Sequence, residues 1–111
     1  MSYYPKFFET TMPKPAVPMS GLIAHTMSDR VQVIFYEIPE GSAAGEHVNC
    51  DEWGVVIKGE VSVTMEGETR TYGAGESFFI PDGVPHSLVN HPGVVGITVF
   101  DDPERFPVNR D

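Results

Sequence analysis

The sequence predicts an all-β jelly-roll barrel, on three observations. Apolar runs of strand length recur about every 8 to 12 residues between Gly21 and Phe100, each bounded by turn-forming residues. Eleven glycines and ten prolines in 111 residues leave little room for a long helix. Finally, Val61, Val63 and Met65 alternate with Ser62, Thr64 and Glu66, the period of a strand with one buried face. These imply about eight to ten strands and no helix longer than two turns.

The elements follow in order. Residues 1–18 carry Pro5, Pro13, Pro15 and Pro18 among Tyr3, Tyr4, Phe7 and Phe8. That proline density predicts an extended arm, either disordered or docked through its aromatics on its own body or on a partner subunit. Residues 19–111 are then one barrel domain, which a chain of this length can close around its own core. Strands are expected at Leu22–Met27, at Val31–Ile38, whose two apolar faces predict burial on both sides, and at Trp53–Lys58. A hairpin over residues 60–72 turns at Glu66-Gly67-Glu68. Ser77–Ile80 stops at Pro81, and His86–Asn90 and Val94–Phe100 flank the turn His91-Pro92-Gly93. The tail from Asp101 has room for a single helical turn.

Composition excludes several classes. The net charge of −9 repels nucleic acid and anionic membranes alike. No apolar run approaches the roughly 20 residues of a membrane span. The N-terminus lacks a secretory layout, and the single Cys50 excludes an internal disulfide. A reducing, cytoplasmic setting is expected. The arm has only Lys6 and Lys14 as basic residues, so no DNA-binding segment is expected there.

Two of the four histidines stand in informative frames. The first runs Gly41-SAAGE-His47-V-Asn49-CD-Glu52-WGVVIK-Gly59. His47 and Asn49, two apart, share a face in extended backbone, and Glu52 opens the next strand. The second runs Gly75-ESFFI-Pro81-D-Gly83-VP-His86-SLV-Asn90, where Pro81-Asp82-Gly83 is a turn and His86, Leu88 and Asn90 share a face. Two hairpins delivering inward imidazoles would gather His47, Glu52 and His86 at one point inside the barrel.

These frames resemble the motifs of the cupin superfamily, in particular its small single-domain type-2 barrels. The second motif, G-x5-P-x-G-x2-H-x3-N, is matched in full at Gly75, Pro81, Gly83, His86 and Asn90. The first, G-x5-H-x-H-x(3,4)-E-x6-G, is matched at Gly41, His47, Glu52 and Gly59. It departs at Asn49, which replaces the second histidine, and in a gap of two residues before Glu52. The resemblance spans about residues 20–100 and implies the cupin-type double-stranded β-helix. It also implies a metal site with His47, Glu52 and His86 as ligands and Asn49 in the place of the missing histidine. Two imidazoles and a carboxylate suit a divalent transition metal such as Zn, Mn, Fe or Ni, and an amide oxygen is a weaker donor than imidazole. The altered motif equally fits a barrel that has lost its metal.

Around the site the residue readings stay plain. Cys50 reads as a small buried or turn residue, with a soft ligand beside His47 as the alternative. Trp53 reads as barrel or interface packing, Phe78 and Phe79 as core, His25 and His91 as surface or turn residues. Tyr36 and Tyr72 stay unplaced. Three functions are compatible with the resemblance: a metal-dependent enzyme of lyase or isomerase type on a small oxygen-rich metabolite such as a sugar acid, a non-catalytic metal or small-ligand binding barrel, and a metal-free interaction barrel. The apolar faces of Val31–Ile38 and residues 53–58 exceed what one small barrel interior covers, which predicts a homodimer.

Overall fold

A computed structural model describes residues 3–15, 23–28, 30–103, 105–106 and 108–109. Nine strands make two antiparallel sheets. The first sheet holds β2 (Ile23–Ser28), β3 (Gln32–Ile38), β10 (Val94–Phe100), β5 (Glu52–Lys58) and β8 (Ser77–Ile80), in that spatial order. The second holds β4 (Ser42–His47), β9 (His86–Asn90), β6 (Val61–Met65) and β7 (Glu68–Tyr72). From β3 onward the chain passes from sheet to sheet, with only the β6–β7 hairpin staying on one side. That is the jelly-roll pattern.

Side-chain alternation fills the space between the sheets. Ile34, Tyr36, Ile38, Val56, Val61, Val63, Phe78, Ile80, Val94 and Phe100 form the core. Cross-strand register aligns them in rows. Gln32, Phe100, Glu52 and Ile80 stand side by side across β3, β10, β5 and β8, and all four are buried. Two rows on, Gly96 lies between Tyr36 and Val56, and the missing side chain leaves room for the Tyr36 phenol. The β6–β7 hairpin turns at Glu66 and Gly67, both with positive φ (53° and 76°), as a two-residue turn matched to strand twist requires. On its outer face, Ser62 bonds Thr71 (2.8 Å) and Thr64 bonds Thr69 (2.6 Å).

Four findings differ from the expectations. The N-terminal segment is not extended throughout: Lys6–Thr11 form a short helix, α1. The span between Pro5 and Pro13 is free of proline, and Pro5 sits just ahead of the first turn, where a missing N–H is harmless. Tyr4 and Phe8 stack (5.5 Å) and both pack edge-on against Phe35, while the Tyr4 hydroxyl donates to the Gly96 carbonyl. The arm therefore docks on its own barrel, and it covers part of the outer face of β3. That face is half-buried while Gln32, Ile34, Tyr36 and Ile38 point fully inward, so β3 is not equally buried on both sides. Phe79 is not core: strand alternation buries Phe78 and turns Phe79 outward, 51% exposed. Finally, β4 and the short pair β1 (Lys14–Pro15) and β11 (Val108–Asn109) were not foreseen. Leu22 and residues 16–18, where the arm was expected to end, lie outside the described residues. No helix among the described residues is long and apolar enough to cross a membrane.

Candidate functional site

His47 ends β4 and His86 begins β9, and the two are directly opposite in the β4–β9 register. Their rings stand 4.3 Å apart. They therefore come from neighbouring strands of one sheet, not from facing hairpins; Glu52 approaches from the other sheet. A register shift between Ala44 and His47 re-aims the end of β4. Gly41 makes the entry to β4 possible. Its φ is +74°, and a Cβ there would lie 2.7 Å from the Asn90 carbonyl oxygen.

The two imidazoles are held alike. His47 Nδ1 contacts the Gly45 carbonyl (2.7 Å) and His86 Nδ1 contacts the Val84 carbonyl (2.9 Å). A carbonyl oxygen only accepts, so each Nδ1 carries the proton and donates. In a neutral ring that arrangement leaves the lone pair on Nε2, the tautomer that ligates metals. His86 is 1% exposed, and its Nε2 has no hydrogen-bond partner. It faces Glu52 Oε1 across 3.9 Å.

Glu52 is 4% exposed, and burial pushes its carboxyl from 4.5 up to about 7. The Arg105 charge and the nearby Asn49 amide pull the other way. Asn49 lies close enough to temper the carboxylate but completes no bond to it: both of its side-chain polar atoms are buried and unpartnered. Its backbone is well anchored. The Asn49 carbonyl accepts from Gly83 N–H (3.1 Å), and Asp51 Oδ1 accepts from Asp82 N–H (2.7 Å). These bonds lock the loop of the first frame onto the turn of the second. Gly83 takes φ +81° there, which only glycine adopts without strain.

Ligand atoms about 2.1 Å from one ion stand roughly 3.0–3.4 Å apart at octahedral or tetrahedral angles. The 3.9 Å between His86 and Glu52 is wider. Among the described residues, no three His, Cys, Asp or Glu side chains converge tightly enough, as placed, to chelate an ion. The donor chemistry nevertheless fits one. A buried imidazole nitrogen and a buried amide, both without hydrogen-bond partners, lie beside a buried carboxylate.

From His47 and Glu52 a cavity of about 180 Å³ opens between the sheets. Tyr36, Thr98, Leu88 and Asn90 line it, with Arg105 at the end nearest the tail. Burial pushes the Tyr36 hydroxyl up to about 12, so it stays a proton donor at neutral pH. Tyr72 packs on Phe78 (5.3 Å) outside the cavity. Sequence reasoning left Tyr36 unplaced and missed Arg105 and Gln32 altogether. The one available signal was Gln32, a polar residue in inward register with Ile34, Tyr36 and Ile38. Of the remaining candidates, Cys50 is partly buried against the core, and burial pushes its thiol up. His91 lies in a turn with Nε2 2.9 Å from the Ser62 hydroxyl, and His25 lies on β2. Trp53 is 43% exposed on the outer sheet face.

A two-sheet jelly roll with paired imidazoles and a carboxylate at its inner end defines a cupin-type barrel. Residues 34–98 match the Cupin domain family, and the chain belongs to that family. It is 35% identical over 77 residues to the HTH-type transcriptional regulator PuuR of Escherichia coli strain K12, a match covering 67% of this chain and 42% of that protein. The chain thus spans less than half the length of that relative. Among solved structures, an RmlC-like cupin from Shewanella frigidimarina superposes with a TM-score of 0.71 at 24% identity, covering 95% of this chain and 94% of that one. The Bacillus subtilis oxalate decarboxylase, studied for its Mn(II) centres, superposes at 0.63 and 24% identity, over 86% of this chain and 28% of that one. These two likenesses establish the fold.

Proposed function

We propose that this cupin binds one divalent transition metal through His47, Glu52 and His86, with Asn49 ligating weakly or ordering a bound water. One observation carries the reading: His86 Nε2 is enclosed, has no hydrogen-bond partner, and faces a buried carboxylate across 3.9 Å. An orphaned buried acceptor is costly unless something fills its lone pair. The Mn(II) centres of the similarly folded oxalate decarboxylase support the type of ion. Such an ion supplies Lewis acidity and an acidified water. The chain's own part is to enclose a small oxygen-rich metabolite such as a sugar acid in the 180 Å³ cavity. Leu88 and Phe78 exclude water there, and the Tyr36 phenol donates to a substrate oxygen. A lyase or isomerase type of reaction suits this set.

A second reading is favoured by the 35% identity to a transcriptional regulator. The same cavity then serves as a sensor that binds without turnover. The partly buried single Cys50 suits a reducing, cytoplasmic setting for either. The outer row Val33, Val99, Trp53 and Phe79, aligned across four strands and apolar throughout, supports a homodimer.

Titrating chelator-treated protein with Zn, Mn, Ni and Fe(II) tests the site. Wild type is expected to bind one equivalent, and His47→Ala and His86→Ala to lose it. Equally weak binding by wild type and both variants would remove the metal and leave the sensor reading.

A further inference from the structure

Beyond Phe100 the chain folds back over the end of the barrel. Asp101 N–H donates to the Asp51 carbonyl (3.0 Å), and Arg105 N–H closes a turn onto the Asp102 carbonyl (3.3 Å). The strap is fixed by Gln32, which is fully buried. Its amide N–H donates to the Phe106 carbonyl and its amide oxygen accepts from Phe106 N–H, both at 2.9 Å. Gln32 thereby imitates a paired strand, and its polar atoms are satisfied by the backbone N–H and carbonyl of one strap residue, Phe106.

The residue before Phe106 is Arg105. Its guanidinium lies 4.6 Å from the Phe106 ring centroid and 5.5 Å from that of Phe100, so two aromatic faces orient it. Its Nε is buried without a hydrogen-bond partner. It lines the same cavity as His47 and Glu52 and, among the described residues, is the one lysine or arginine that does. Glu52 feels its charge, but no ion pair closes between them. Two aromatic rings thus orient a cation toward a cavity that also holds a buried acid, in a body of net charge −9.

We propose that Arg105 is the anion anchor of the cavity, positioned by Gln32, and that the cavity takes a small carboxylate whose charged end sits on the guanidinium and whose remaining oxygens face His47 and Glu52. A guanidinium presents N–H groups in a planar fork that matches a carboxylate and is lightly hydrated, so it gives up water readily. The cavity, at about 180 Å³, is below the roughly 300 Å³ of common small-molecule sites, which restricts the ligand to a compact acid. Leu88, Phe78 and Ile34 on its walls exclude competing water. This deepens the proposed function: it rests on the cavity being the working site, but not on the metal.

The test compares acids with neutral counterparts of the same shape: galacturonate with galactose, and malonate with malonamide. Binding is measured by calorimetry on chelator-treated and metal-loaded protein. Wild type is expected to prefer at least one acid over its counterpart by roughly tenfold or more, with and without metal. Arg105→Gln, with folding checked by circular dichroism, should erase that preference, and Arg105→Lys should keep part of it. Gln32→Leu, if folded, should weaken the preference by freeing the strap. No preference in wild type, an undiminished preference in Arg105→Gln, or no binding of either acid at tens of millimolar overturns the inference. If His86→Ala shows the metal reading to be wrong and the Arg105-dependent preference survives, the anchor stands alone.

Discussion

Glu52 makes the metal-free protein sensitive to pH in a direction opposite to ordinary acid denaturation. Its carboxyl is moved by burial from 4.5 in an exposed chain up to about 7 in the fold. Below pH 4.5 both states carry the proton and nothing is lost. Between 4.5 and about 7 the unfolded chain ionises while the folded one keeps its proton, so stability falls as pH rises. Above about 7 both are ionised and the loss is complete. At about 1.4 kcal/mol for each pH unit, this interval corresponds to about 3 kcal/mol. Glu52→Gln, close in shape to the protonated acid, removes that one titration and leaves every other carboxylate in place. Urea unfolding of chelator-treated wild type and Glu52→Gln from pH 4.5 to 7.5 isolates it as a difference. The variant should gain on wild type by about 3 kcal/mol across the range, most of it before pH 7. A difference that stays flat with pH would refute the burial argument. Bound metal, which holds the carboxylate ionised, should reduce the slope.

Three further outcomes are expected. Asn49→His should tighten Zn and Ni binding about tenfold or more, because imidazole is the better donor; unchanged affinity in titration would mean that position 49 points away from the ion. Gly96→Ala should destabilise by about 1–3 kcal/mol in urea unfolding, because its Cβ would crowd the Tyr36 ring and come within 2.9 Å of the Val55 carbonyl. Sedimentation equilibrium at tens of micromolar should give a dimer, with Trp53→Glu and Phe79→Glu shifting it to the 12.2 kDa monomer; a wild-type monomer would remove the interface.

Much of the barrel was legible because its strands announce themselves by period. Alternation at residues 61–65 and the positive-φ turn at Gly67 translate directly into β6 and its hairpin. β4 escaped because SAAGEH has neither apolar alternation nor β-branched residues. It is an exposed edge strand held by pairing with β9, which is a tertiary effect. α1 escaped because proline density was read over the whole arm, not over the proline-free span between Pro5 and Pro13. His47, Glu52 and His86 were legible from their frames, but their arrangement was not, since register decides that the histidines are cross-strand neighbours. Arg105 was invisible because its place depends on a strap held by a glutamine 73 residues earlier in the chain.

On the proposed reading, His86 and its neighbours exist to hold an ion. Elemental analysis of protein purified without chelator, alongside His86→Ala prepared identically, tests it most directly. Close to one equivalent of a divalent transition metal is expected in wild type and next to none in the variant. Wild type free of metal, or a variant that retains as much, would contradict it.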